Sequence, residues 1–271
     1  MIGEKMTQVM GIVNVTPDSF SDGGLWLETD AAVAHAESLI GQGANVIDIG
    51  GESTRPGSHP IDEATELERT IPVVLAAAAM GVDVSIDTTK AAVARAAVDA
   101  GAAIINDVSA SLENVAASTG AGWIAMHALG DSATMQDDPR YDDVVEEVAD
   151  FLADAVRRGR AAGVDRIWID PGIGFGKTKQ HNLELLANLD RLAQIAPVLV
   201  GASRKSVVGQ VHARSDGLLA DGLAGENPMT GSGDRLEGSV GIAVWSAYLG
   251  VDMIRVHDVR ATVHALSLLK A

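Results

Sequence analysis

Acids, amides and cations recur in this chain at the ends of short apolar runs. Asn14 closes one run. Asp48 with Glu52, Asp87, Asn106 with Asp107, His127, Asp170, Ser203 with Arg204 and Lys205, and Arg255 with His257 mark the ends of seven more. Asp87, Asn106 and Asp170 offer two carboxylates and one amide from three different runs. That set complements a planar heterocycle with an amino–imine edge, as in a pterin or guanine, although each residue alone also suits a helix N-cap. Lys205 supplies a point charge for an anion, and Ser206 a hydroxyl donor. Arg255 and His257, two apart, share one face of a strand. Asn14 carries an amide oxygen suited to a hard cation such as Mg²⁺.

Two Gly- and Pro-bearing loops follow the first two runs. Thr16–Gly24 has the residues of ordinary turns. Gly50–Gly57 places Ser53, Thr54 and Arg55 between glycines, which suits both a surface loop and a wrap around an anion with Arg55 as a fork-shaped donor. The stretch Pro171–Thr178 contains Gly-Lys-Thr but puts Pro171 where a phosphate-binding P-loop needs its first glycine. Lys177 breaks a G-x-G-x-x-G pattern in the same way. Its glycines instead let backbone approach a ligand, with Phe175 as an apolar wall. There is no Cys, no H-E-x-x-H and no G-x-S-x-G, which removes thiolate chemistry, a fixed zinc site and a nucleophile elbow.

These side chains need a scaffold that brings eight run ends together. The runs are Val9–Asn14, Asn45–Gly50, Val82–Asp87, Ala103–Val108, Gly122–His127, Ile167–Asp170, Pro197–Ser203 and Met253–Val259. Continuous hydrophobicity without polar alternation predicts parallel strands covered on both faces. Ala-rich stretches of helical spacing lie between them, including Asp30–Ile40, Glu63–Ala79, Ala91–Ala100, Asp142–Ala162, Asn182–Ala193 and Leu236–Leu249. Gly43, Gly81, Gly101, Gly163 and Gly250 stop helices just before strands. Eight βα units in 271 residues predict an α/β protein, a single-domain (β/α)₈ TIM barrel over 1–271, with an open doubly wound sheet as the other arrangement. Residues 210–235, rich in Gly, Asp, Ser and Asn, read as a long loop or insertion. Chemistry in such a barrel sits at the C-terminal strand ends, where the polar residues fall.

Charge narrows the partners. Twenty Lys and Arg against 37 Asp and Glu leave a net charge of −17. A nucleic-acid binder needs a basic face, and an anionic membrane repels such a chain. An anionic small substrate needs a local cationic pocket within this negative field. No signal peptide or spanning segment is visible, so a cytoplasmic address is expected.

The motifs Ile12–Gly24 and Asp48–Gly57, with Ser85–Thr88, Ile105–Val108, Asp170–Lys177, Ser203–Ser206 and Arg255–Asp258, resemble the dihydropteroate synthase family over nearly the whole chain. The resemblance implies a barrel enzyme that joins 6-hydroxymethyl-7,8-dihydropterin diphosphate to 4-aminobenzoate and releases diphosphate. It assigns the pterin to Asp87, Asn106, Asp170 and Lys205, with Arg255 stacked on its face. Asn14, Arg55, Arg255 and His257 fall around the diphosphate, with Mg²⁺ at Asn14. Phe20, Thr54, Pro56, Phe175, Lys205 and Ser206 fall around the aminobenzoate, where sulfonamides would compete. Asp22, Asp87 and Asp170 are placed to stabilise a cationic methylene, with Arg55 and Lys205 also among the catalytic set. The family further implies a homodimer. Ser109-Ala110-Ser111 stands where the family commonly has a Gly pair, and Ala202 where it often has a larger apolar residue. A pterin-binding methyltransferase and a catalytically silent pterin-binding paralogue are the alternatives.

Overall fold

The structure is a computed structural model, and it describes residues 6–16, 24–52, 60–130, 134–211 and 235–270. Its frame is eight strands: β1 (Gln8–Asn14), β2 (Val46–Gly50), β3 (Asp83–Asp87), β4 (Ile104–Asp107), β5 (Gly122–Met126), β6 (Ile167–Asp170), β7 (Leu199–Val200) and β8 (Met253–Val256). They run in the order β6-β5-β4-β3-β2-β1-β8-β7, and every pair is parallel. A bridge between Ile169 of β6 and Val198 brings the two ends together, so the sheet closes into a (β/α)₈ barrel.

Helices alternate with the strands: α1 (Gly24–Gly41), α2 (Glu63–Ala79), α3 (Ala91–Asp99), α4 (Glu113–Thr119), α5 (Val144–Ala162), α6 (Lys179–Ala187), α7 (Leu189–Leu192), α8 (206–211), α9 (Leu236–Tyr248) and α10 (Val259–Ser267). Local chemistry sets their ends. Asp62 accepts a hydrogen bond from Thr65 N (2.7 Å) at the start of α2. Asp143 caps α5 through Val145 N and Glu146 N, both at 3.0 Å. Gly163 ends α5 at φ 97°, a left-handed turn that glycine adopts without a side-chain clash.

Several boundaries differ from the sequence reading. The expected strand Pro197–Ser203 pairs only over Leu199–Val200, while Val198 bridges to β6. The expected strand Met253–Val259 stops at Val256, and Val259 opens α10 with its side chain buried. The stretch 182–193 divides at Asn188 into α6 and α7. Most of 210–235 lies outside the described residues.

The core has two parts. The larger fills the space between barrel and helices. The smaller fills the barrel itself, with Met10, Val46, Ile104, Ile124, Leu199 and Met253 packed together and Trp168 against them. This apolar plug is the floor of everything above it.

Candidate active site

Strand alternation converts the floor into a mouth. Two residues beyond the plug residues Val46, Ile104, Leu199 and Met253 on their strands stand Asp48, Asn106, Gly201 and Arg255, on the same inner face. Asp170 stands two beyond Trp168 in the same way. Asp87 lies in register with Gly50 on one side and Asn106 on the other. Asp48 is fully buried, and Asp87, Asn106 and Asp170 are nearly so.

Arg255 organises this layer. Its Nε donates to Asp48 Oδ2 at 2.6 Å and its Nη2 to Asp87 Oδ2 at 2.8 Å. Asn106 Nδ2 donates to the same Asp48 oxygen at 3.2 Å, and Gly172 N to Asp170 Oδ1 at 2.7 Å. Asp48 Oδ1, Asp87 Oδ1 and Ser85 Oγ are buried with no hydrogen-bond partner among the described residues. Orphaned acceptors of this kind are costly unless a ligand satisfies them.

The electrostatics follow. Burial pushes the Asp87 carboxyl up to about 7, against the pull of Arg255 and with help from Asp48 and Glu66. Burial also raises Asp170, opposed by Lys205 and by the Gly172 N–H. Burial works against the Arg255 charge, yet Asp48 and Asp87 hold its guanidinium above the ordinary range. Burial lowers Lys205 to about 8, opposed by Asp170.

Lys205 marks a second part of the mouth. Its ammonium donates to Ile173 O and sits 4.4 Å from the centroid of the Phe175 ring, within cation–π range. Ser206 follows, exposed at the start of α8. Arg204 turns the other way at φ 58° and grips Asp258 (Nε to Oδ2, 3.0 Å) on the outside. His257 Nδ1 lies 3.1 Å from Ser203 Oγ, which also accepts from His257 N. Asn14 is half-buried at the end of β1.

Of the run-end residues expected at the mouth, Asp48, Asp87, Asn106, Asp170 and Arg255 come together, with Lys205 coupled to their charge. Asp107 and His127 do not join them, because alternation turns them into the helix layer. Asp107 accepts from Trp123 Nε1 (3.1 Å) there, and His127 meets the Phe151 ring of α5 edge-on at 4.9 Å. Glu52 is tied to Lys90, which also reaches the buried Glu66. Phe20, Asp22, Thr54, Arg55 and Pro56 lie outside the described residues. Among the described residues no group of three His, Cys, Asp or Glu is arranged to hold a metal. The sequence places Asp48 among the run-end acids without a ligand role; its buried carboxylate accepts from both Arg255 and Asn106.

The family model described as pterin binding enzyme matches residues 10–257. A dihydropteroate synthase of Mycobacterium leprae is 45% identical over 274 residues, covering 97% of this chain and 93% of that protein. Among solved structures, a Xanthomonas albilineans dihydropteroate synthase with 4-aminobenzoic acid is 43% identical, with a TM-score of 0.87 over 98% of this chain and 92% of that one. The same organism's enzyme in complex with 7,8-dihydropteroate is 40% identical, with a TM-score of 0.83 over 98% and 93% of the two chains.

Proposed function

The chain belongs to the pterin-binding enzyme family, and from that premise we infer that it is a dihydropteroate synthase, a transferase of folate biosynthesis. It condenses 6-hydroxymethyl-7,8-dihydropterin diphosphate with 4-aminobenzoate to give 7,8-dihydropteroate and diphosphate. The observation that carries the reading is the pair of buried oxygens Asp48 Oδ1 and Asp87 Oδ1, without a partner among the described residues, in a mouth that also holds Arg255 and Lys205. A pterin edge supplies N–H donors for such acceptors, and the cations suit its anionic tail.

The residues take the following roles. Asp87, Asn106 and Asp170 hold the pterin, and Arg255 lies against its face. His257, Arg255 and Arg55 surround the diphosphate. Phe175, Lys205 and Ser206 receive the aminobenzoate, joined by Phe20, Thr54 and Pro56. Sulfonamides, which share the aniline and a similarly placed acidic group, compete for the same place. Asn14, half-buried at the end of β1, would offer its amide oxygen to a Mg²⁺ ion beside the diphosphate. Mg²⁺, when bound, neutralises charge that develops on the diphosphate.

Reaction begins when the bond from the exocyclic methylene carbon to the diphosphate oxygen breaks, with the electron pair leaving on oxygen. The electron-rich reduced pterin stabilises the methylene cation, and Asp87, Asp170 and Asp22 supply negative charge around it. The amine lone pair then forms the new C–N bond, and the surplus proton on nitrogen passes to diphosphate or solvent. No protein nucleophile is needed. A pterin-binding methyltransferase needs the acid–amide grip but not Lys205 and the Arg255–His257 pair, so the cations favour the synthase.

We take 1–271 as one domain, cytoplasmic and homodimeric. Among the described residues no helix is long and apolar enough to cross a membrane. Trp245 and Tyr248 leave α9 half to two-thirds exposed, an aromatic face that suits a second copy. The deciding experiment incubates purified protein with Mg²⁺ and both substrates. Dihydropteroate and diphosphate in equal amounts are expected. No product with retained pterin binding leaves the silent paralogue.

A further inference from the structure

One buried cation takes no part in the steps above. Lys177 is 3% exposed, and no carboxylate lies in direct contact with it among the described residues. Its ammonium has three N–H donors, and three acceptors meet them: His127 Nδ1 at 2.9 Å, Phe175 O at 3.0 Å and His127 O at 3.3 Å. Burial and the Lys177 charge lower His127 to about 3, so its ring stays neutral and Nδ1 is free to accept. Burial lowers Lys177 itself to about 7, a measure of how unfavourable an ammonium is there.

The contacts join two strand ends. His127 follows β5, and Phe175 lies on the loop that follows β6. That loop packs so closely that a Cβ at Gly172 (φ 65°) would fall 1.8 Å from His127 O, and one at Gly176 (φ 63°) would fall 2.6 Å from Leu129. The same loop presents Ile173 O and the Phe175 ring to the Lys205 ammonium. Lys177, Asn182 and Ser206 also line one cavity of about 370 Å³.

We propose that Lys177 is a positioning residue for the aminobenzoate: it fixes the Phe175 backbone against the end of β5, and through Phe175 and Lys205 it sets the pocket in which the aryl amine is held. The proposal rests on the synthase reading above. It separates the two substrates at the contacts of Lys177 itself: Asp48, Asp87 and Asn106 lie on other strands and take no bond from this loop, and Asp170, the pterin acid that does, accepts from Gly172 N and not from Lys177.

The test is steady-state kinetics of Lys177→Met, Phe175→Leu and the double variant beside the wild type, with calorimetric titration of pterin diphosphate alone. Lys177→Met is expected to raise KM for 4-aminobenzoate by roughly tenfold or more. Pterin diphosphate affinity is expected to stay within about twofold of wild type. The effects of Lys177→Met and Phe175→Leu on that KM should be less than additive, as for residues acting through one contact. Lys177→Gln, which keeps two N–H donors, should recover part of the loss, and it carries the same measurements if Lys177→Met does not fold. Equal loss for both substrates, or additive effects in the double variant, would overturn the proposal and leave Lys177 a structural tie. A wild type that makes no dihydropteroate would instead sink the synthase reading.

Discussion

Asn106 and Asp107 are neighbours on β4 and face opposite sides of one barrel wall. On the outer side, Asp107 Oδ1 accepts from Ser109 N (2.9 Å) and the Ser109 hydroxyl. Its Oδ2 accepts from Ser111 N (2.7 Å), Leu112 N (2.8 Å) and Trp123 Nε1. Both oxygens are saturated, Oδ1 by a backbone N–H and a hydroxyl and Oδ2 by two backbone N–H groups and the indole. On the inner side, Asn106 donates to Asp48, a carboxylate equally buried, whose second oxygen has no partner among the described residues. Two buried aspartates of one barrel, on β4 and β2, thus use their oxygens in different ways. The outer one spends its acceptors on the loop before α4, and the inner one keeps an acceptor free. The saturated acid serves the fold; the unsaturated one, inside a mouth shared with Asp87 and Arg255, leaves an acceptor for a ligand.

Removing the cation that holds the inner cluster together should have the largest effect. Arg255→Ala leaves Asp48 and Asp87 facing each other and is expected to lower kcat/KM by about 10³-fold, while Arg157→Ala on the solvated face of α5 leaves turnover unchanged. Comparable activities in the two variants would refute the mouth assignment. On the outer wall, Asp107→Ala strands four N–H donors and should cost on the order of 3–5 kcal/mol in urea unfolding, with turnover per folded molecule nearly intact. Asp48→Asn inverts that pattern. Turnover should drop about 10²-fold, and stability should change by about 1 kcal/mol or less, because the substitution also relieves repulsion with Asp87. If Asp48→Asn unfolds the protein while Asp107→Ala does not, the division of the wall into fold and site is wrong.

The smallest effect concerns pH. Asp87 binds its proton more tightly in the native protein than in the unfolded chain. Its stabilising contribution is therefore fully present below the ordinary carboxylate range and is lost as pH rises through about 7. Over that range the wild-type melting temperature should fall relative to that of Asp87→Asn. Parallel curves would mean that Asp87 is ionised throughout.

The sequence carried the barrel plainly, because each helix–Gly–strand unit repeats one physical requirement: stop the helix, bury the strand on both faces. Asp87, Asn106, Asp170 and Arg255, expected together from their run ends, do stand in one layer of the barrel, with Lys205 coupled to their charge. Facing was harder to read. Asp107 sits beside Asn106 and His127 beside Met126, and only the register of β4 and β5 decides which member of each pair turns inward. Asp48 was visible as a run-end acid, but its pairing was not. It lies inside its strand, and its partner Arg255 is 207 residues away in the chain. The ends of β7 and β8 also depended on distant contacts, with Val198 drawn to β6 and Val259 buried as the first turn of α10. Ala110 shows local strain that composition hides: it holds φ 49°, where a glycine would sit more easily, within the loop that Asp107 pins.

The apolar plug beneath the mouth has one more consequence. Met10, Val46, Ile104, Ile124, Leu199 and Met253 form a layer without polar side chains directly beneath Asp48, Asn106 and Arg255. Such a layer offers no hydrogen-bond partner from below, so the orphaned oxygens of Asp48 and Asp87 cannot be satisfied from that side.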